Sequence, residues 1–304
     1  MAVPPWLWIV LTVFAAAAQT VRNTAQRHLA DQLGTLGATL VRFLYGLPLL
    51  GLYLALVMAL GCHGLPSVTA GFAAWVLVAA LSQMAGTAFL LRAMTTRNFA
   101  IGLVYSKSEV IQVALFSVVF LGERPSAVGA AAILLATAGV VLLSPRPAPT
   151  AGGRRRWLDR AALFGLGSGA AFAISVVGYR GATLSLDLAS PFLGAAQTLF
   201  WSQLVQTLLL GGWLAARAPL VVLAVLREWR LSLFAGAAGA SASIANVTAL
   251  AIESAAHVRT LILVEVLFTY VVSHRVFRER MSRRELAGIG LVVIGVATIV
   301  ATSA

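Results

Sequence analysis

The sequence predicts an all-α membrane protein whose ten transmembrane helices form two inverted five-helix repeats. Three observations carry that expectation. The 304 residues are 60% hydrophobic and only 11% charged, against about 25% charged in a soluble domain, and the mean hydropathy is +0.92. Apolar runs able to cross a hydrocarbon core of about 30 Å, which takes about 20 helical residues, recur along the whole chain. A shift of 156 residues lays the landmarks of the second half on those of the first.

The runs lie near residues 6–27, 38–60, 71–94, 98–121, 127–144, 161–181, 191–214, 231–252, 259–277 and 286–302. They read as helices because lipid leaves every backbone N–H and C=O to be satisfied internally, and the period-2 alternation of a barrel is absent. The N-terminus MAVPPWLWIV has no basic region ahead of its apolar run and no small-residue cleavage site, so it reads as a retained first helix rather than a signal peptide. Cys62 is the only cysteine, which excludes an internal disulfide and leaves the compartment open.

The net charge of +12 would suit a nucleic-acid partner if it were clustered, but it follows the loops instead. Loops after odd-numbered helices, with their flanking helix ends, hold eighteen arginines, including Arg22, Arg42, Arg154 to Arg156 and Arg283. The even side holds only Arg124, Arg180 and Arg259, and Lys107, the only lysine, falls inside a helix. The positive-inside rule then makes the odd loops cytoplasmic and both termini external. Topology explains the basic excess, so no nucleic-acid partner is expected and the chain is placed in the cell (inner) membrane as a multi-pass protein.

The 156-residue shift pairs Asp31 with Asp187, Glu109 with Glu265, Glu123 with Glu279, Arg124 with Arg280, Ser126 with Ser282 and Gly139 with Gly295. The expected units are residues 1–144 and 161–304, joined by the basic Pro/Gly linker 145–160, PRPAPTAGGRRRWLDR. Five helices per copy is an odd number, so the second copy crosses the membrane in the opposite sense, the plan of many secondary transporters.

Two matching segments, EVIQVALFSVVFLGERPS from Glu109 and EVLFTYVVSHRVFRERMS from Glu265, resemble the two copies of the EamA-type repeat of the drug/metabolite transporter superfamily. That repeat has Glu-Pro near the start of its fourth helix and, fourteen residues on, a Gly-Glu-Arg-x-Ser/Thr turn. Both glutamates match in both halves, and the resemblance covers essentially the whole chain. Val110 and Val266 replace the proline, which removes the residue type that breaks an i to i−4 bond; Arg278 and Ala132 replace two of the glycines. The resemblance implies a ten-helix exporter whose third, fourth, eighth and ninth helices, with parts of the first and sixth, surround a substrate cavity opened alternately to the two sides. It also implies both termini in the cytoplasm, against the arginine count.

An ionised group in mid-bilayer costs at least about 2.5–3.5 kcal/mol on insertion scales and is therefore a functional candidate. Lys107 and Glu109 are two apart and point to opposite sides of a helix, so each needs a partner from elsewhere. Glu109 and Glu265 read either as proton-holding carboxylates that raise one another's pKa or as members of structural ion pairs with Lys107 or Arg259. Lys107 suits a substrate carboxylate or an internal salt bridge. Tyr105 and Gln112 share the Glu109 face, Gln19, Asn23 and Gln26 form one stripe beside Arg22, and Gln83 and Asn246 lie in the third and eighth helices. Each would hydrogen-bond substrate or a neighbouring helix. Gly139, Gly288, Gly295 and Ala132 lie on small-residue stripes suited to helix packing or a dimer contact, which leaves the protein a monomer or homodimer.

No cofactor, metal site or enzyme is expected. Ser168 lacks the first glycine of a nucleophile elbow, and the glycines of GLGSGAAF read as helix packing. The single lysine is not in a P-loop, and Glu253 with His257 is not an H-E-x-x-H pair. The expected partners are a small-molecule substrate, protons and the lipid bilayer. The expected function is proton-coupled export of small metabolites, amino acids or related compounds, or amphipathic drugs by alternating access. An ion-independent facilitator or channel is the alternative, with an intramembrane enzyme the more distant one.

Overall fold

Among the described residues every regular element is helical, as lipid solvation requires. The structure is a computed structural model and describes residues 3–61, 64, 66–94, 105–143, 160–188, 190–268 and 282–303. The elements are α1 (Leu7–Gly61), α2 (Ala70–Met94), α3 (Glu109–Leu121), α4 (Ala127–Leu143), α5 (Arg160–Ser185), α6 (Pro191–Arg217), α7 (Pro219–Arg227), α8 (Trp229–Ile252), α9 (Ala255–Leu261) and α10 (Arg283–Ser303). Six stretches among them are long and apolar enough to cross a membrane: Gln32–Gly61, Ala70–Leu90, Ala162–Ser185, Pro191–Arg217, Trp229–Ile252 and Arg283–Thr302; α3 and α4 are shorter apolar helices. The linker 145–159, Cys62, Glu279, Arg280, and parts of the expected fourth and ninth helices (98–104 and 269–277) lie outside the described residues.

The first two expected helices are both present and meet at a kink at Gly34, where φ 70° and ψ 169° are non-helical, so a tight break joins them rather than an extended loop. A Cβ at Gly34 would meet nothing within 4 Å, so glycine is needed there for its backbone freedom rather than its small size. Gln26 Nε2 donates to Ala38 O across the break (3.1 Å). Further along, Pro48 sits inside α1 and removes one helical donor. Gln203 of α6 donates to Arg42 O (3.0 Å) and Phe43 O (3.2 Å), just before that proline, and Gly46 leaves the space its amide occupies.

The chain divides into two compact units, Met1–Ala80 with Gly178–Glu253 and Leu81–Val177 with Ser254–Ala304, each drawing on both halves of the sequence. In the first unit α1 packs on α8, α6 and α7. Its clusters repeat at the 156-residue shift: Ala30, Tyr45 and Leu231 border one cluster, and their mates Leu186, Trp201 and Trp75 border another. The helix α7 was not expected; Pro219 opens it, and Val225 and Ala224 join the first cluster while Tyr45 Oη donates to Val225 O (3.2 Å).

In the second unit α4 lies against α10 with paired geometry. A Cβ at Gly139 would stand 2.7 Å from Gly288 O and 2.8 Å from Val292, and a Cβ at its mate Gly295 would stand 2.7 Å from Ala132 O and 2.8 Å from Ala136. Each contact is the 156-residue image of the other. These small residues thus pack the two repeats' last helices within one chain, the first of the two uses expected for them. The caps repeat too: Ser126 Oγ accepts from Gly129 N (3.0 Å) and Ser282 Oγ from Glu285 N (3.3 Å). The second copy completes a capping box, with Glu285 Oε2 accepting from Ser282 N at 2.7 Å.

Candidate functional site

The second unit brings together six of the nine candidate residues: Gln83, Tyr105, Lys107, Glu109, Gln112 and Glu265. Before Glu109 the helical path tightens, as Ser108 N donates to Tyr105 O three residues back (3.1 Å) and a turn at residues 107–108 precedes α3. Before Glu265 the same happens: a turn at residues 262–263 follows α9, and Leu263, Glu265 and Val266 donate to Thr260, Ile262 and Leu263 carbonyls at 3.2, 3.0 and 3.0 Å. Neither turn contains a proline. The family's Glu-Pro pairs are missing, yet both copies are interrupted one or two residues before the glutamate. Local i→i+3 bonding replaces the proline effect.

Glu109 stands in the first turn of α3, where the helix's free N–H groups favour an anion. It accepts a charge-assisted hydrogen bond from Arg259 Nη2, the two side chains being 13% and 15% exposed. Of the two cations offered to the pair of glutamates, Lys107 and Arg259, Glu109 takes Arg259, 150 residues away. Arg259 Nε is buried without a hydrogen-bond partner among the described residues, so the guanidinium keeps donor capacity in reserve. Lys107 is half-buried and forms no ion pair among the described residues. Glu265 is half-buried and engaged.

Neighbouring polar groups support this turn. Ser108 Oγ donates to Tyr105 O (2.6 Å), and Gln112 Nε2 donates to Ser108 Oγ (2.7 Å). Gly169 of α5 admits the turn closely, since a Cβ there would meet Gln112 Nε2, Ser106 O and Ser108 Oγ, each at 3.1 Å. Ser168 Oγ donates to Gly86 O (2.9 Å), so GLGSGAAF serves helix packing. Glu123 Oε2 accepts from Ala255 N (3.3 Å) at the start of α9, where Ser254 is the N-cap. Gln83 is half-buried and also engaged.

The first unit holds the other three candidates. Gln19 is half-buried, Asn23 is exposed, and Asn246 is half-buried with Oδ1 buried and unsatisfied among the described residues. The stripe that faces the core of α1 is Arg22, Ala25, Leu29 and Leu33, rather than Gln19, Asn23 and Gln26. Arg22, which the charge count grouped with the odd loops and their flanking helix ends, is 7% exposed inside the unit. Arg180, counted on the even side, donates from Nη1 to Leu250 O (2.6 Å) near the end of α8. The signal for Arg22 was present in the sequence, since the apolar spacing 25, 29, 33 extended back one turn falls on it.

The profile of the EamA-like transporter family matches residues 6–144 and 159–301. Among solved structures, one crystal structure is similar over 98% of this chain and 97% of its own, with a TM-score of 0.64 and 13% sequence identity, a likeness that shows the fold. No curated protein matches the chain.

Proposed function

Since the chain belongs to the EamA-like transporter family and is a multi-pass membrane transporter of small molecules, we propose that it is a proton-coupled exporter. Its cargo is small metabolites, amino acids or related compounds, or amphipathic drugs, moved by alternating access. The observation that carries this reading is the tightened turn immediately before each of two pseudo-symmetric glutamates. Short 3₁₀ stretches inside helices mark hinges, and broken helices that aim their free N–H ends at a mid-membrane site are a recurring transporter device. In this reading a proton on Glu109 releases Arg259, and the freed guanidinium or Lys107 meets the substrate. Glu265 provides the second acid, while Tyr105, Gln112 and Gln83 of the same unit hydrogen-bond the cargo. We place the protein in the cell (inner) membrane with both termini outside the cytoplasm, from the arginine distribution.

An ion-independent facilitator is the second reading, and the Glu109–Arg259 pair favours it, because the arginine balances the carboxylate's charge within the protein. Proteoliposome flux separates the two. With a pH gradient imposed, wild-type protein should accumulate or expel amino acids or organic cations against their own gradients, and Glu109→Gln or Glu265→Gln should abolish that uphill component. If both variants keep gradient-driven flux with the wild-type pH dependence, the coupling role is gone.

A further inference from the structure

A short helix fills the gap between two membrane spans of the first unit. One span ends at Arg217 and the next begins at Trp229, and α7 (Pro219–Arg227) lies between them. Nine helical residues reach about 14 Å, far short of a hydrocarbon core of about 30 Å. The helix therefore stays at the membrane face where both spans end.

Its two faces have different neighbours. On the inner face Val225 is buried, and a Cβ at Gly37 of α1 would meet Val221 Cγ1 at 3.2 Å and Val225 Cγ2 at 3.7 Å. With the bond from Tyr45 Oη to Val225 O, these contacts seat α7 on α1 just past the Gly34 break. On the outer face Leu220, Leu223 and Leu226 follow at three-residue spacing and are 78%, 43% and 51% exposed. A helix that is apolar on both faces needs two apolar surroundings, and the unit supplies one.

The rim of the outer face is basic and aromatic. Arg217, Arg227 and Arg230 are all exposed and form no ion pair among the described residues, and Glu228 is the one acid between residues 217 and 230. Trp213 and Trp229, near the adjoining ends of α6 and α8, are exposed as well, and the Arg230 guanidinium lies 5.4 Å from the Trp229 ring centroid. Indoles collect at the headgroup level of a bilayer, and a guanidinium fork matches a phosphate with two parallel N–H···O bonds. A short apolar face edged by arginines and tryptophans is the composition of a helix lying in the interface plane.

We propose that α7 is an in-plane anchor for anionic phospholipid. Leu220, Leu223 and Leu226 enter the acyl boundary while Arg217, Arg227 and Arg230 take the phosphates, so the bilayer surface holds the part of α1 that follows Gly34. A second copy of this chain would also cover the leucines, but a two-fold contact sets the same patch against itself, and arginines facing arginines repel. The anchor assumes nothing about what the protein transports.

Two measurements on the full-length protein test it. Native mass spectrometry in neutral detergent, with phosphatidylglycerol and phosphatidylcholine at equal concentration, should show wild type retaining phosphatidylglycerol in preference. Arg217→Gln, Arg227→Gln and Arg230→Gln together, all at exposed positions, should lower that retention roughly tenfold or more, since each arginine near an anionic surface adds to the attraction. Arg154→Gln, Arg155→Gln and Arg156→Gln together remove the same charge from the linker and should leave retention as in wild type. Absence of a preference in wild type, or equal losses in the two triple variants, would overturn the site. In the second measurement spin labels are placed by Leu223→Cys or Glu228→Cys in a Cys62→Ser background, and the protein is reconstituted in vesicles of the two lipids. The label at 223 should be relaxed mainly by oxygen, which concentrates in lipid, and the label at 228 mainly by a water-soluble nickel chelate. A label at 223 that the chelate reaches would put the face in water, and one shielded from both would mean that protein covers it; either result overturns the anchor. Neither measurement reads flux, so the transport reading stands or falls separately.

Discussion

Glu109 and Arg259 show what a buried ion pair asks of its neighbours. Each side chain is mostly enclosed, so losing one partner leaves a charge that the protein interior solvates badly. Glu109→Gln and Arg259→Gln should each lower the unfolding free energy in detergent, and the double variant should lose less than the sum of the two. A double-mutant cycle should return a coupling of about 0.5–3 kcal/mol, read from denaturant or thermal unfolding. A coupling near zero would mean that the pair does not persist in solution. The sequence turned Lys107 away from Glu109 and offered Arg259 as a cation, but bringing Arg259 to Glu109 across 150 residues needs the packing of α9 on α3. Arg22 was counted among helix ends flanking the odd loops, and such a count does not distinguish a solvated helix-end arginine from one absorbed into the protein, as this one is. Gly34 offers a second test at the same scale. Its φ of 70° and ψ of 169° are almost restricted to glycine, and nothing crowds its missing side chain. Gly34→Ala should therefore destabilise by about 1–3 kcal/mol through backbone strain alone, measured against Gly64→Ala.

Among the elements, α4 against α10 is the contact most dependent on small residues. A Cβ at Gly139 would fall 2.7 Å from a backbone oxygen of α10, an atom that cannot swing aside, so Gly139→Ala must push the helices apart. The expected cost is about 1–3 kcal/mol, typical of overpacking. Gly290→Ala, on the same helix with nothing within 4 Å, should be neutral or slightly stabilising because alanine favours helix. Equal losses from both substitutions would refute the close-packing account. Elements that lipid dictates were readable in advance: residues 71–94 became Ala70–Met94, and 231–252 became Trp229–Ile252, since bilayer thickness sets their length. The tightness of the break at Gly34 and the short α7 were not readable. Both depend on packing within the first unit, where Tyr45 and Val225 meet, and polar residues near 28–37 and 215–230 resemble loops when judged by composition. The turns before Glu109 and Glu265 escaped for want of a proline to announce them.

At the scale of the whole molecule, the duplication leaves an imprint on the packing and not only on the sequence, since Gly139 and Gly295 make matching contacts 156 residues apart. An inverted duplication poses a question of orientation, because each copy must carry a charge bias opposite to its twin's. Placing the side chains sharpens that bias. Arg22 and Arg42 belong to the body of the first unit on the odd side, while Arg180 and Arg259 on the even side are held by Leu250 O and Glu109. That leaves sixteen arginines on one side against Arg124 on the other. Embedded arginines are not dragged across or retained by the membrane as loop charges are, so the remaining count is the one the positive-inside rule should weigh. It supports the proposed orientation, with the linker 145–160 in the cytoplasm and both termini outside, opposite to the one that family resemblance implies. Cys62 is the only cysteine, which makes the test simple. In a Cys62→Ser background, Ala2→Cys should react with a membrane-impermeant maleimide in intact cells, and Ala151→Cys should react only after permeabilisation. The reverse pattern would mean that family topology overrides a sixteenfold charge bias, and that the arginines of the odd loops serve an anionic partner on the outer face instead.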